Sequence, residues 1–419
     1  MKKFWLIGLV IAVMAMPVFV SAQVETGAGT MQIGGKIKWM YIYQAENEDQ
    51  VGAGAAGQLY GFDGAAMEQF VTTNVELDIN GTVGENVAYV IELQATDFGL
   101  PNNAYGGLAA TASGYNELQG SAIGVRQAKI LVSDVIPMTT VTLGTFNLPV
   151  GNYQERGTND WDTVMLPLMN MLSMDTTTPG PPIGLGWQVT GAMFTLGSDM
   201  VSLDLATFNG ISSATPNVQR PMDLEMGYMA NLGIGSEGAG VEIAYLSEGW
   251  QENVRGTGPG VEQQNSTAYV ISACVMNDQM EMTADWFQNT IEEYQMYNGK
   301  WEDVNSSGWQ ATVGVFLTDQ IEALVRYEVV DPNMADTRAT LKGGGTTNSK
   351  YDELQATTIG LNYLINENAE MAINYIMIAE EGKEIDQDPT KPTKNAGANL
   401  GERQGVDNDT LLIQVQVWQ

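Results

Sequence analysis

Fifty carboxylates, one cysteine and no histidine set the limits of the chemistry this 419-residue chain can do. Without histidine there is no Ser-His nucleophile, no HExxH zinc helix and no imidazole acid–base pair. Cys274 stands alone, so it can neither close an internal disulfide nor share in a thiolate metal cluster. It reads as an ordinary strand residue. Carboxylate pairs remain. Glu76 and Glu92 fall close together across a hairpin and could in principle exchange a proton, but the simpler reading is a solvated polar wall. Asp160-Trp161-Asp162, and Glu380-Glu381 with Asp386 and Asp388, could hold Ca²⁺, an oxygen-seeking ion. Neither group has EF-hand spacing, and plain surface charge accounts for both. The expectation is a protein that is no enzyme, with no cofactor and no resident metal.

The elements that place these carboxylates begin with an export signal. Lys2 and Lys3 precede an apolar run, Phe4 to Val20, and Val20-Ser21-Ala22 is a small-residue cleavage site. Residues 1–22 are therefore expected to be a signal peptide, leaving 23–419 as the mature protein. Loss of Lys2 and Lys3 moves the net charge from −32 to −34. Phosphate binding needs clustered Lys and Arg, so nucleic acid is excluded as a partner. No later stretch reaches the roughly 18–20 apolar residues of a spanning helix.

From Thr30 onward the apolar residues recur with period two, which is strand spacing. In Phe70–Gly81 the residues Val71, Thr73, Val75, Leu77 and Ile79 share one face, and Thr72, Asn74, Glu76, Asp78 and Asn80 the other. A short turn at Thr82–Glu85 leads to Val87, Tyr89, Ile91 and Leu93 set against Glu92 and Gln94. Six more such hairpins follow, around Ser133–Pro137, Gly197-Ser198, Gly235-Ser236, Asn277-Asp278, Thr318-Asp319 and Asn366-Glu367. Met31–Tyr43 and Thr410–Trp418 are left to pair with each other. The sum is sixteen antiparallel strands, with short turns at one end and long connections at the other, Glu292–Asn305 among them. An even count, strand-length runs and segregated loop lengths predict an all-β fold, a transmembrane β-barrel exported to a Gram-negative-type outer membrane. Outward aromatics, Trp39, Tyr41, Tyr245, Trp286, Trp309, Tyr327 and Tyr375, would form a girdle at the lipid boundary.

The polar faces would then line a lumen. Lys36, Lys38, Glu76, Asp78, Glu92, Arg126, Asp204, Glu281, Asp285, Glu322 and Arg326 are the pore-lining candidates, with Glu225, Glu242, Glu328 and Glu370 beside them. So many carboxylates would be prohibitive in a dry core and cost little in a water-filled channel. One connection stands apart: residues 148–182, bracketed by Pro149 and by Pro179 to Pro182, are long enough to fold inward and narrow the pore. Within it, residues 160–170 have helix-like spacing, and Glu155, Arg156, Asp160 and Asp162 are the constriction candidates.

Several stretches resemble the phosphate-selective porin O and P family. Gly144-Thr145-Phe146-Asn147-Leu148-Pro149-Val150 is similar to that family's Gly-x-Phe-x-x-Pro segment ahead of its inward loop. NDTLLIQVQV, Asn408–Val417, is similar to its closing strand. Arg326-Tyr327-Glu328 before Asp331, and Leu361-Asn362-Tyr363 before Asn366-Glu367, fit its penultimate hairpins. The resemblance implies a sixteen-stranded, homotrimeric outer-membrane channel for small hydrophilic solutes or ions. Two features depart from it: basic residues are scarce, and the terminal aromatic is displaced to Trp418 with Gln419 last. The acidic balance predicts cation preference. A phosphate-type anion channel, or a structural or adhesive barrel whose acidic loops bind partners or Ca²⁺, is the alternative.

Overall fold

The structure, a computed structural model, describes residues 22–26, 29–44, 67–98, 123–152, 188–198, 200–209, 226–236, 238–250, 264–297, 300–331, 340–341, 353–381 and 409–418. Among these residues every regular element is a strand. The first nine are β1 (Ala22–Thr26), β2 (Gly29–Gln44), β3 (Met67–Val83), β4 (Val87–Phe98), β5 (Ile123–Ser133), β6 (Thr139–Asn147), β7 (Gln188–Gly197), β8 (Val201–Phe208) and β9 (Gly227–Ser236). The rest are β10 (Ala239–Trp250), β11 (Gln264–Asn277), β12 (Met280–Tyr297), β13 (Lys300–Thr318), β14 (Ile321–Asp331), β15 (Thr340–Leu341), β16 (Glu353–Asn366), β17 (Ala369–Glu381) and β18 (Thr410–Trp418).

Each barrel strand pairs antiparallel with the next, and β18 closes on β2 from Thr410–Gln44 to Trp418–Lys36. Omitting β1 and the two-residue β15, the ring holds 16 strands. Closure leaves no barrel edge without a partner, which is what a sheet needs in a solvent without hydrogen-bonding groups. β1 continues the line of β18 along β2, with Ala22 opposite Ile33 where Trp418 stops opposite Lys36.

Period-two alternation sorts the two faces. Val, Ile and Leu side chains such as Val125, Ile130, Leu205, Ile243 and Ile359 stand outward and are exposed. So are Tyr245, Trp286, Trp309 and Tyr375. The rings of Tyr245 and Tyr269 lie 5.2 Å apart, and those of Trp309 and Tyr327 5.3 Å. Apolar exposure on this scale calls for lipid rather than water around the wall.

The seven short turns share one end of the barrel with the start of β2 and the finish of β18. Their polar residues hold them. The Asn277 carboxamide oxygen accepts from Gln279 N and Met280 N at 2.9 and 3.1 Å, and Asn366 accepts from Asn368 N at 2.8 Å. Thr318 takes the N–H of Gln320 at 3.2 Å in the same way. Such side chains stand in for the backbone acceptor a tight turn lacks. Asn277→Ala is expected to cost about 1 kcal/mol of barrel stability, read as a lower urea midpoint for unfolding from lipid bilayers.

Two expectations need correction. The connection Glu292–Asn305 is largely strand: β12 and β13 run on until only residues 298 and 299 separate them, with Tyr297 opposite Lys300. Thr290, Ile291, Tyr294, Trp301 and Val304 are strand-favouring types, and an irregularity after Ile291 lets the ladder resume. β15 adds to this extension opposite Gln295 and Met296. Second, the alternation read over Val71–Ile79 does not run unbroken. The β2–β3 register steps from Lys38–Asn74 to Trp39–Thr72, which leaves Thr73 as a bulge.

Candidate functional site in the barrel lumen

The inner wall divides into sectors by charge. On β2, β3 and β4, Lys36 lies directly across from Glu76, and Asp78 across from Glu92. The cross-strand partner of Glu92 is therefore Asp78 and not Glu76, although all three carboxylates come within 4.8 Å of one another. Gln127 donates to Glu92 at 2.7 Å. Lys36 Nζ sits 5.2 Å from the ring centre of Trp418, so the displaced aromatic stacks with a lysine on the side shared by Gln414 and Gln416. Lys38 is buried beside them. The backbone of Arg126 is a bulge between the Glu92–Gln127 and Leu93–Val125 pairs; its side chain lies outside the described residues.

From β6 to β12 the wall is different. Among the described residues Asp204, Glu242, Glu281 and Asp285 are its charged inward groups, and none of these seven strands carries a Lys or Arg. Asp204 accepts from the Thr195 hydroxyl at 2.6 Å. Asp285 accepts from Gln310 Nε2 at 2.5 Å. On β13 to β18 both signs return. Arg326 and Glu328, both buried, form an ion pair. Glu322 accepts from Asn362 at 3.0 Å, and Glu370 from Gln416 at 3.0 Å.

The chain leaving β6 turns onto this wall. Gly144, with φ 124°, carries the β5–β6 ladder where a Cβ would lie 2.2 Å from the Ala128 carbonyl. Leu148 and Val150 are fully buried. Asn231 on β9 donates to the Pro149 carbonyl at 2.9 Å. Gly151 then takes φ 81°, a left-handed conformation open chiefly to glycine. Beyond it Asn152 reaches β11 and β12. Its backbone N–H and its carboxamide donate to Asp285 Oδ1 at 3.0 and 2.8 Å, and the carboxamide also approaches the Ala273 and Ala284 carbonyls at 3.1 Å. A segment that leaves β6 and bonds to inward residues of β9 and β12 lies inside the barrel.

A closed ring in which residues 148–152 turn onto the inner wall can be compared with solved structures. The outer membrane channel DcaP of Acinetobacter baumannii aligns over 96% of this chain and 100% of its own, at 12% identity and a TM-score of 0.59. OmpF of Salmonella typhi, in complex with daunomycin, aligns over 95% and 100% at 10% identity, TM-score 0.56. OmpT of Vibrio cholerae, in its trimer form, aligns over 94% and 100% at 9% identity, TM-score 0.54. The fold is the one these three share. No protein-family model matches the chain, and no curated protein matches it in sequence. None of the three is described as a phosphate-selective porin, so the likeness is one of fold and does not single out that family.

The expected pore-lining residues Lys36, Lys38, Glu76, Asp78, Glu92, Asp204, Glu281, Asp285, Glu322 and Arg326 lie on the lumen side. Glu155, Arg156, Asp160 and Asp162, the 160–170 segment, Glu225, Asp386 and Asp388 lie outside the described residues. Asn152, Asn231 and Gln310 had no sequence signal, because their partners are 82 or 133 positions away or known only from register.

The lumen wall is also not polar throughout. Toward the long-connection end, Met40, Ile42, Phe146, Val189, Phe208, Met229 and Val330 face inward and are buried. The Phe208 ring lies over the backbone of its cross-strand partner Gly227, and the Phe287 ring over Gly308. Alternation survives there, but both faces are apolar, so spacing alone cannot tell lipid from lumen.

Cys274 shares the inward face of β11 with Ser272 and is half-buried. A trimethylammonium methanethiosulfonate is expected to modify it about 16-fold faster than the sulfonate analogue, because one nearby carboxylate favours the cation about fourfold and disfavours the anion as much. Equal rates would remove the acidic sector from the lumen's electrostatics.

Proposed function

We propose that this chain is an outer-membrane porin: a channel for passive diffusion of ions and small hydrophilic solutes, preferring cations. The observation that carries it is the inner wall of β6 to β12, where Asp204, Glu242, Glu281 and Asp285 face a lumen sector with no basic residue on its strands. In this reading residues 1–22 are the export signal, 23–419 the barrel, and 148–182 the loop that narrows it. Glu155, Arg156, Asp160 and Asp162 sit at that constriction. The homotrimer is supported by the trimer form of a protein with the same fold. Passive channels of this kind need no catalytic group and no cofactor. Purified protein in a planar bilayer should give step-like ionic currents, and reversal potentials in a salt gradient should have the sign of cation flow.

A second reading has one observation in its favour. The apolar inward tier around Phe146, Phe208 and Phe287 fits a barrel that mainly anchors acidic external connections, for partners or Ca²⁺. Bilayers that stay silent over a protein refolded to full β content would favour it.

A further inference from the structure

A recess of about 210 Å³ opens in the lumen wall between β8 and β11, beside Asn152. It has room for on the order of seven waters. Glycines make it. Gly240 would accept a Cβ with nothing nearer than 3.6 Å, so packing does not demand glycine there; its missing side chain is the space. At Gly233 a Cβ would stand 2.5 Å from Ser202 Oγ, so glycine keeps that hydroxyl facing the opening.

The polar lining is one cross-strand row. Ser202 pairs with Gly233, Gly233 with Glu242, Glu242 with Ser272, and Ser272 with Asp285. Neighbouring strands are about 4.8 Å apart, so Glu242 and Ser272, on adjacent strands, are a sugar ring's width from each other, and Ser202 lies two strands further round the row. Ser272 is 2% exposed, and its Oγ, facing the Asp285 carboxylate, has no well-formed hydrogen bond among the described residues. A buried hydroxyl without a partner costs free energy that a ligand can recover. No strand lining the recess bears a positive side chain, which disfavours anions.

We propose that this recess is a subsite for a small hydroxylated primary ammonium, of the amino-sugar class. Glu242 faces the ammonium and Ser272, directly across on the next strand, bonds a hydroxyl. The subsite deepens the channel reading and rests on it, because solute must enter through the lumen.

Three sugars of one shape and different charge test it: glucosamine, glucose and glucuronate. Added to the full-length channel in a planar bilayer, glucosamine should interrupt the current at about one-fifth the concentration glucose needs, the bias of one carboxylate about 4 Å away. Glucuronate should interrupt it least. Glu242→Gln should bring glucosamine to the level of glucose, and Gly240→Leu, which fills the recess, should remove interruption by both. Equal potency of the three sugars, or glucosamine potency unchanged in Gly240→Leu, overturns the subsite. A second readout does not need current. In detergent-folded protein, glucosamine should slow alkylation of Cys274, which lines the recess, and glucuronate should not. Silent bilayers with Cys274 protection would end the channel reading and keep the subsite. Currents without sugar-dependent interruption or protection would do the reverse.

Discussion

Replacing Asp204, Glu242 and Glu281 together by their amides is expected to lower the cation-to-anion permeability ratio by at least about tenfold. A carboxylate about 5 Å from a passing monovalent ion contributes a little under 1 kcal/mol at the dielectric of water, roughly a fourfold bias. Three at different heights compound to more than tenfold, and screening beyond about 8 Å at physiological salt reduces the sum. The sign follows from the wall itself: β6 to β12 carry these groups and no Lys or Arg, and the remaining carboxylate, Asp285, is buried against Asn152. Reversal potentials in a salt gradient read the change. An unaltered ratio would move selectivity to the mixed-charge sector around Lys36, Lys38 and Arg326. Anion preference in the unmodified protein would restore the phosphate-type reading.

The second large effect concerns the inward segment. Asn152 donates to Asp285 through backbone and side chain at 3.0 and 2.8 Å, and Asp285 is 3% exposed. A hydrogen bond to a buried charge contributes about 1.5–3 kcal/mol. Asn152→Ala should therefore raise the population of a displaced segment about 10- to 150-fold, seen as larger and noisier single-channel currents. Asp285→Asn should do the same more weakly, since an amide keeps one acceptor. Deleting Asp160–Asn170 acts on the same connection and should also raise conductance. Identical currents in all three variants would place residues 148–182 away from the conducting path.

Much of this protein was legible in its sequence. Strand count, hairpin turns and the end of the barrel where β2 starts and β18 finishes follow from local rules. Side chains alternate with each residue, lipid and lumen demand opposite chemistry on the two faces, and Asn277, Thr318 and Asn366 mark turns because their side chains can accept a nearby backbone N–H. What only the tertiary structure decided depends on closure. Bulges at Thr73 and Arg126 shift register where no residue type announces it. Asp78 rather than Glu76 faces Glu92 because turn geometry sets the register, and a slip of one residue turns every face over. Asn152 meets Asp285 only because the closed ring brings β12 within reach of the segment leaving β6. Register puts Phe208 and Phe287 on the inward face, and glycines directly across the ladder leave room for their rings there. A carboxylate's address along the chain is local information. Which partner it faces is fixed by packing across the whole barrel.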